Sequence, residues 1–145
     1  MTHQHPERGR HAAGGHDHLS HLPSGARPAV FAARAGVVFA QPAHADQLED
    51  VVTRFFAALS DSLADAGCTL VGHIKGTLAA RDRGDLAFHV TALGARPALT
   101  GGIAGAPKQG LLTINVIVFG VDEASLPAIV KDAWSRASGA ETDWR

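Results

Sequence analysis

Gly72-His73-Ile74-Lys75-Gly76-Thr77-Leu78-Ala79-Ala80, followed after a short break by Asp85-Leu86-Ala87-Phe88-His89-Val90-Thr91, decides how this chain is read. Polar and apolar side chains alternate along both runs, and Leu112-Thr113-Ile114-Asn115-Val116 repeats the pattern further on. Successive side chains of a β-strand point to opposite faces. Ile74, Phe88, Val90, Ile114 and Val116 therefore belong to a core, while His73, Lys75, His89, Thr91, Thr113 and Asn115 share the opposite face. Those six residues form the candidate ligand or partner face.

Working outward, Thr69 to Ala80 and Asp85 to Gly94 read as a hairpin, with Asp82-Arg83-Gly84 as a three-residue loop. That loop pairs Arg81 with Asp85, Lys75 with Thr91 and Thr77 with His89. In this register His73 and His89 lie four ladder positions apart, about 13 Å, too far to share one metal ion within a monomer. Leu111 to Val121 is apolar almost throughout and is expected to lie centrally in the sheet. Ala95 to Gly110, rich in Gly, Pro and Ala, reads as a long mobile loop.

A first strand is expected over Val30 to Phe39. Leu48, Val51, Val52, Phe55, Phe56, Leu59 and Leu63 then recur at helical spacing and predict a helix over 46–66. Asp46 with Glu49 makes a capping-box start and Gly67 a left-handed stop. A second helix, about Glu123 to Ala137, buries Leu126, Ile129, Val130, Ala133 and Trp134. Pro127 confines its start to the first turn, as late as Ser125, and Gly139 ends it.

The order β-α-β-β-β-α predicts an α+β fold. It is a two-layer sandwich whose mainly antiparallel four-stranded sheet carries two helices on one face. The first strand, helix and second strand form a right-handed crossover if the strands are parallel. The single domain is expected over 29–138, with 1–28 as a disordered tail and 139–145 frayed.

Composition narrows the function classes. The apolar fraction of 46% is that of a globular protein, and a net charge of −1 without a Lys/Arg run argues against nucleic acid as a partner. Cys68 is the single cysteine, so neither an internal disulfide nor a cysteine-rich zinc site can form, and a reducing cytoplasm fits. No apolar run approaches the ~20 residues needed to span a bilayer. The stretch from Ala29 to Ala45 ends in Ala43-His44-Ala45, which imitates a secretory cleavage site. Arg34 interrupts it and a long polar segment precedes it, so a cytoplasmic strand is the better reading.

Three features carry possible chemistry. His3, His5, His11, His16, His18 and His21 stud the first 28 residues, and imidazole ligands suit nickel, cobalt or zinc. The bland alternative is compositional drift in a solvated tail. Gly101-Gly102-Ile103-Ala104-Gly105-Ala106-Pro107-Lys108-Gln109-Gly110 evokes a phosphate cradle. It lacks the G-x-x-x-x-G-K-[ST] spacing and leads into a strand, so no nucleotide is expected on this chain alone. The polar sheet face is the third; His and Thr on a half-wet face need no function, and that bland reading weighs more. No acidic pair, Ser-His-Asp order or H-E-x-x-H motif is present.

Across residues 44–137, Gly72-His73-Ile74-Lys75-Gly76 and Leu112-Thr113-Ile114-Asn115-Val116-Ile117-Val118-Phe119-Gly120 carry a resemblance. The chain resembles the accessory α+β domain of CobW-like metal-chaperone P-loop GTPases, the class that includes hydrogenase and urease nickel-insertion GTPases. The resemblance implies a non-enzymatic, metal-binding or accessory role in metallocentre or cofactor assembly. It also implies a separate partner, a GTPase or metalloenzyme, since the phosphate loop itself is absent. His73, Lys75 and Asn115 are the positions it weights. Two other readings stand beside it. In one, a small-ligand-binding or enzymatic domain uses His73, Lys75 and His89 on an anionic substrate. In the other, an interaction module self-associates through the polar face.

Overall fold

The helical stripe of Leu48, Val51, Val52, Phe55, Phe56, Leu59 and Leu63 is buried along one side of α1 (Ala45–Asp65) in the computed structural model, which describes residues 26–145. His44, not Asp46, caps this helix, and its backbone N–H donates to Gln47 Oε1 at 2.8 Å. The start lies ahead of the expected Asp46–Glu49 box because Gln47 reaches back to the chain emerging from Pro42. Gly67 ends the helix at φ +91°, and Cys68 N–H donates back to Leu63 O at 2.9 Å.

The remaining elements are β1 (Ala29–Val38), β2 (Leu70–Ala80), β3 (Gly84–Val90), β4 (Ala98–Gly101), β5 (Gln109–Phe119), α2 (Leu126–Ser138, entered through a 3₁₀ turn at Glu123–Ser125) and β6 (Glu141–Trp144). They form one sheet in the order β4-β3-β2-β5-β1-β6, antiparallel at every pairing. β5 separates β1 from β2, so those two run parallel and α1 crosses between them. By the same logic α2 crosses from β5 to β6 over β1. Two split βαβ units thus interlock, with the β3–β4 hairpin added beyond β2. Both helices pack on one sheet face, and an edge-to-face aromatic chain joins the layers. Trp134 meets Phe55 at 5.5 Å, Phe55 meets Phe56 at 5.4 Å, and Phe56 meets Phe88 of β3 at 5.6 Å.

The α+β expectation holds, but the sheet has six strands, not four. β4 lies inside the stretch expected to be a mobile loop. It pairs with β3, Phe88 opposite Leu99 and His89 opposite Ala98, and of its four side chains Leu99 alone packs against the core, so it leaves little periodic signal. The rest of that stretch is pinned. Ile103 and Pro107 are buried, Gly102 and Ala104 N–H groups donate to Asp85 and Arg83 carbonyls, and Lys108 O accepts from Phe39 N–H at 2.8 Å. Gly101 stands so close to the Asp85 carbonyl that a Cβ there would collide with it. Gly101 thus serves close backbone approach between β4 and β3.

β6 overturns the expected frayed end at 139–145. Thr142 and Trp144 turn inward: Trp144 packs edge-on to Phe31 at 6.2 Å, and Thr142 Oγ1 accepts from Trp134 Nε1 at 3.1 Å. Reciprocal backbone bonds then join Arg145 to Arg34. A four-residue strand with two inward side chains is too short for alternation to reveal.

The β2–β3 register also differs, by two residues. Ala80 pairs with Gly84 and Lys75 with His89, while Thr77 faces Ala87. The turn is Arg81-Asp82-Arg83, with Arg83 N–H donating to Ala80 O at 3.0 Å and Asp82 taking the positive φ of 58°. Asp82 tolerates that conformation, and Gly84 takes a positive φ of 104° as well, but as the first residue of β3 and not inside the turn. A two-residue shift leaves every side chain on its face. It nevertheless halves the ladder separation of His73 and His89, to about 7 Å. Thr91 falls beyond the end of β3, in an exposed bend, and leaves the polar ladder.

Candidate functional site: the open face of the sheet

Neither helix covers the second face of the sheet, and its side chains stand in cross-strand rows. The first row is His73–Ile117–Val30 across β2, β5 and β1. The next is His89–Lys75–Asn115–Ala32 across β3, β2, β5 and β1. The third is Ala87–Thr77–Thr113–Arg34. Neighbours within a row have Cβ atoms about 4.5–5.5 Å apart, close enough for one small group to touch several. Asp85 and Asp143 stand in the row beyond these three, with Ala79, Leu111 and Gly36 between them.

An open depression of about 680 Å³ lies at the centre, lined by His73, Lys75, Thr77, His89, Thr113 and Asn115 with Ala87 at its floor. Ala87 contributes only a methyl group there, between the longer side chains of Lys75, Thr77 and His89. A bulge between Val71 and His73 carries His73 onto this face. Lys75 and His89 are exposed, whereas His73, Thr77, Thr113 and Asn115 are half-buried.

Electrostatically the depression is one-sided. The three central rows hold Lys75, Arg34 and two imidazoles and no carboxylate. Among the described residues the ion pairs are Arg136 with Asp132 and Arg145 with Asp143, so Lys75 has no acidic partner there. His73 Nε2 and Asn115 Oδ1 are buried and have no hydrogen-bond partner among the described residues. Leaving such a group unpaired costs about 1–3 kcal/mol, so two around one depression mark an unsatisfied place in the fold. The side-chain amide of Asn115 presents a donor at the same position when turned over.

Of the residues expected on this face, the structure brings together His73, Lys75, His89, Thr113 and Asn115, and leaves Thr91 outside. Sequence reasoning missed Arg34, which reads as a flaw in an apolar strand until β1 is seen beside β5. It also left Thr77 out of the site, although alternation in β2 pointed to it. Among the described residues no group of three or more His, Cys, Asp or Glu could hold a metal ion. His3, His5, His11, His16, His18 and His21 lie outside the described residues.

No family model, curated protein or solved structure matches this chain. The site therefore has to be read from its own chemistry. Lysine, two imidazoles, an amide and two hydroxyls can donate hydrogen bonds to oxygen atoms. The three rows themselves hold no carboxylate, and Asp85 and Asp143 stand one row beyond them.

Apolar side chains flank the depression at both ends. Val30 and Leu70 are 42% and 41% exposed beside Ile117 and Phe119, and Val38 and Leu111 are 41% and 44% exposed at the other end. No helix among the described residues is long and apolar enough to cross a membrane.

Cys68 sits apart, at the entrance to β2, with its Sγ donating to Leu70 O at 3.6 Å. Burial pushes its thiol up from the ordinary value, so the neutral form prevails at pH 7. Alkylation by iodoacetamide at pH 7 is expected to run several-fold slower on the folded chain than on the urea-unfolded chain. The rate should climb as the pH passes the usual thiol range of about 8.5.

Proposed function

We propose that this chain is a non-enzymatic accessory protein for metallocentre or cofactor assembly, which docks a separate GTPase or metalloenzyme through the open face of its sheet. The carrying observation is that face itself. Four large apolar side chains, Val30, Val38, Leu70 and Leu111, flank a polar centre on a layer that neither helix shields. Large apolar side chains left exposed on an uncovered layer are the mark of a surface awaiting a partner. The histidines of the first 28 residues would supply nickel, cobalt or zinc binding, and the resemblance over residues 44–137 points the same way. A cytoplasmic setting belongs to this reading.

Two measurements test it. In calorimetry with Ni²⁺, replacing His3, His5, His11, His16, His18 and His21 by alanine in the full chain should remove most of the binding. Undiminished binding would defeat the metal role. Light scattering should give the mass of one 15.0 kDa chain, leaving the face free for a different protein. A doubled mass that returns to the single value in Lys75→Glu would instead favour self-association.

A further inference from the structure

We infer that the central depression is an oxyanion site, which takes a carboxylate or phosphate group of a small molecule between Lys75, His73, His89 and Asn115. This goes beyond the docking reading and does not depend on it, since the pocket is complete on one chain.

Three observations converge. The register places Lys75 between His89 and Asn115 in one row, with His73 one step along β2, so four nitrogen-bearing side chains surround one opening. No acidic side chain stands in those rows, and Lys75 is unpaired among the described residues. His73 Nε2 and Asn115 Oδ1 are buried without partners among the described residues at the rim of the same opening, and the Asn115 amide offers a donor there when turned over. A cationic group with uncommitted hydrogen-bonding atoms is complementary to a group that carries negative charge and several acceptor oxygens. A metal cation is the wrong guest, because the Lys75 ammonium shares the opening with both imidazoles and repels it. An apolar guest leaves both orphaned atoms unsatisfied.

The group sits as follows. Lys75 Nζ supplies charge and up to three donors, His73 donates from Nε2, and Asn115 donates from its amide nitrogen. His89 closes the solvent side, and the Thr77 and Thr113 hydroxyls stand one row along for the remaining oxygens. Nothing covalent happens; the site holds and orients.

The test is an NMR titration of the full-length chain with inorganic phosphate and, separately, with succinate, each at constant ionic strength. At least one probe should shift the His73, Lys75, His89 and Asn115 signals in a saturable way. Lys75→Met should weaken that binding at least tenfold, while Lys108→Met, a distant exposed lysine, leaves it unchanged. Asn115→Leu adds the decisive readout, because it removes an orphaned polar atom along with a donor. The melting temperature should hold or rise while binding is lost, which a purely structural Asn115 would not produce. Saturation by phosphate alone identifies a phosphoester-type ligand, and by succinate alone a carboxylate. No saturable shift with either probe overturns the inference, as does wild-type affinity in Lys75→Met or in a folded Asn115→Leu.

Discussion

Gly76→Ala is expected to destabilise the chain by about 3 kcal/mol or more and to lower its melting temperature by roughly 10 °C. Gly76 points into the core from the middle of β2, where a Cβ would lie 2.8 Å from the Phe88 ring and would also collide with the Thr113 carbonyl. The ring cannot withdraw, since Phe88 is fully buried and held edge-on by Phe56. Nor can the carbonyl, because it belongs to β5 at the centre of the sheet. Relief requires β2 and β5 to separate locally, which breaks ladder bonds and adds orphaned backbone groups to the steric cost. The same separation would splay Lys75 and Asn115, partners across that pair. Gly36→Ala is the control. No atom lies within 4 Å of its added Cβ, so its change should stay within about 0.5 kcal/mol. Thermal unfolding followed by circular dichroism measures both, and equal stability of the two variants would disprove the crowding at position 76.

Trp134→Ala should cost about 3–5 kcal/mol, the range for emptying a large buried aromatic site. Trp134 is completely enclosed on α2, stacks edge-on against Phe55, and donates through Nε1 to Thr142 on β6. Its removal leaves a cavity between the helices and also frees the last strand. Trp134→Phe separates the two effects by keeping most of the packing and deleting the Nε1–H donor. In that variant amide exchange should accelerate at Thr142 and Trp144 before it does at α1. Uniform acceleration across the chain would show that β6 is not tied to the helix layer through this bond.

Much of this architecture is legible in the residues because long elements repeat their signal. Seven apolar positions along α1 and the nearly continuous apolar run of β5 define a helix and a central strand from spacing alone. The phase of β2 and β3 is equally plain, since Ile74, Leu78, Leu86 and Phe88 share one side of their strands. What escaped reading is short or paired at a distance. β4 and β6 each have four residues, and their positions depend on Asp85, Arg34 and Trp134, which lie on other elements. The hairpin register turned on whether Asp82-Arg83-Gly84 or Arg81-Asp82-Arg83 forms the turn, and since both Asp82 and Gly84 accept a positive φ, composition does not settle it. That small choice matters for the site, because it brings His89 opposite Lys75 and the two imidazoles within reach of one guest. Arg34 shows the same limit: its place beside Thr113 follows from the antiparallel pairing of β1 with β5, which no local pattern announces.

The brief outer strands have a consequence for behaviour at high concentration. β4 and β6 close the two sides of the sheet with four residues each, and the β4 side is preceded by Pro97. Such stubs offer few unpaired amides and carbonyls for an incoming chain to copy, so growth into fibrils by strand addition is blocked at both rims. Contact between molecules is thereby steered to the broad flat surface, where side chains and not backbone determine who may bind.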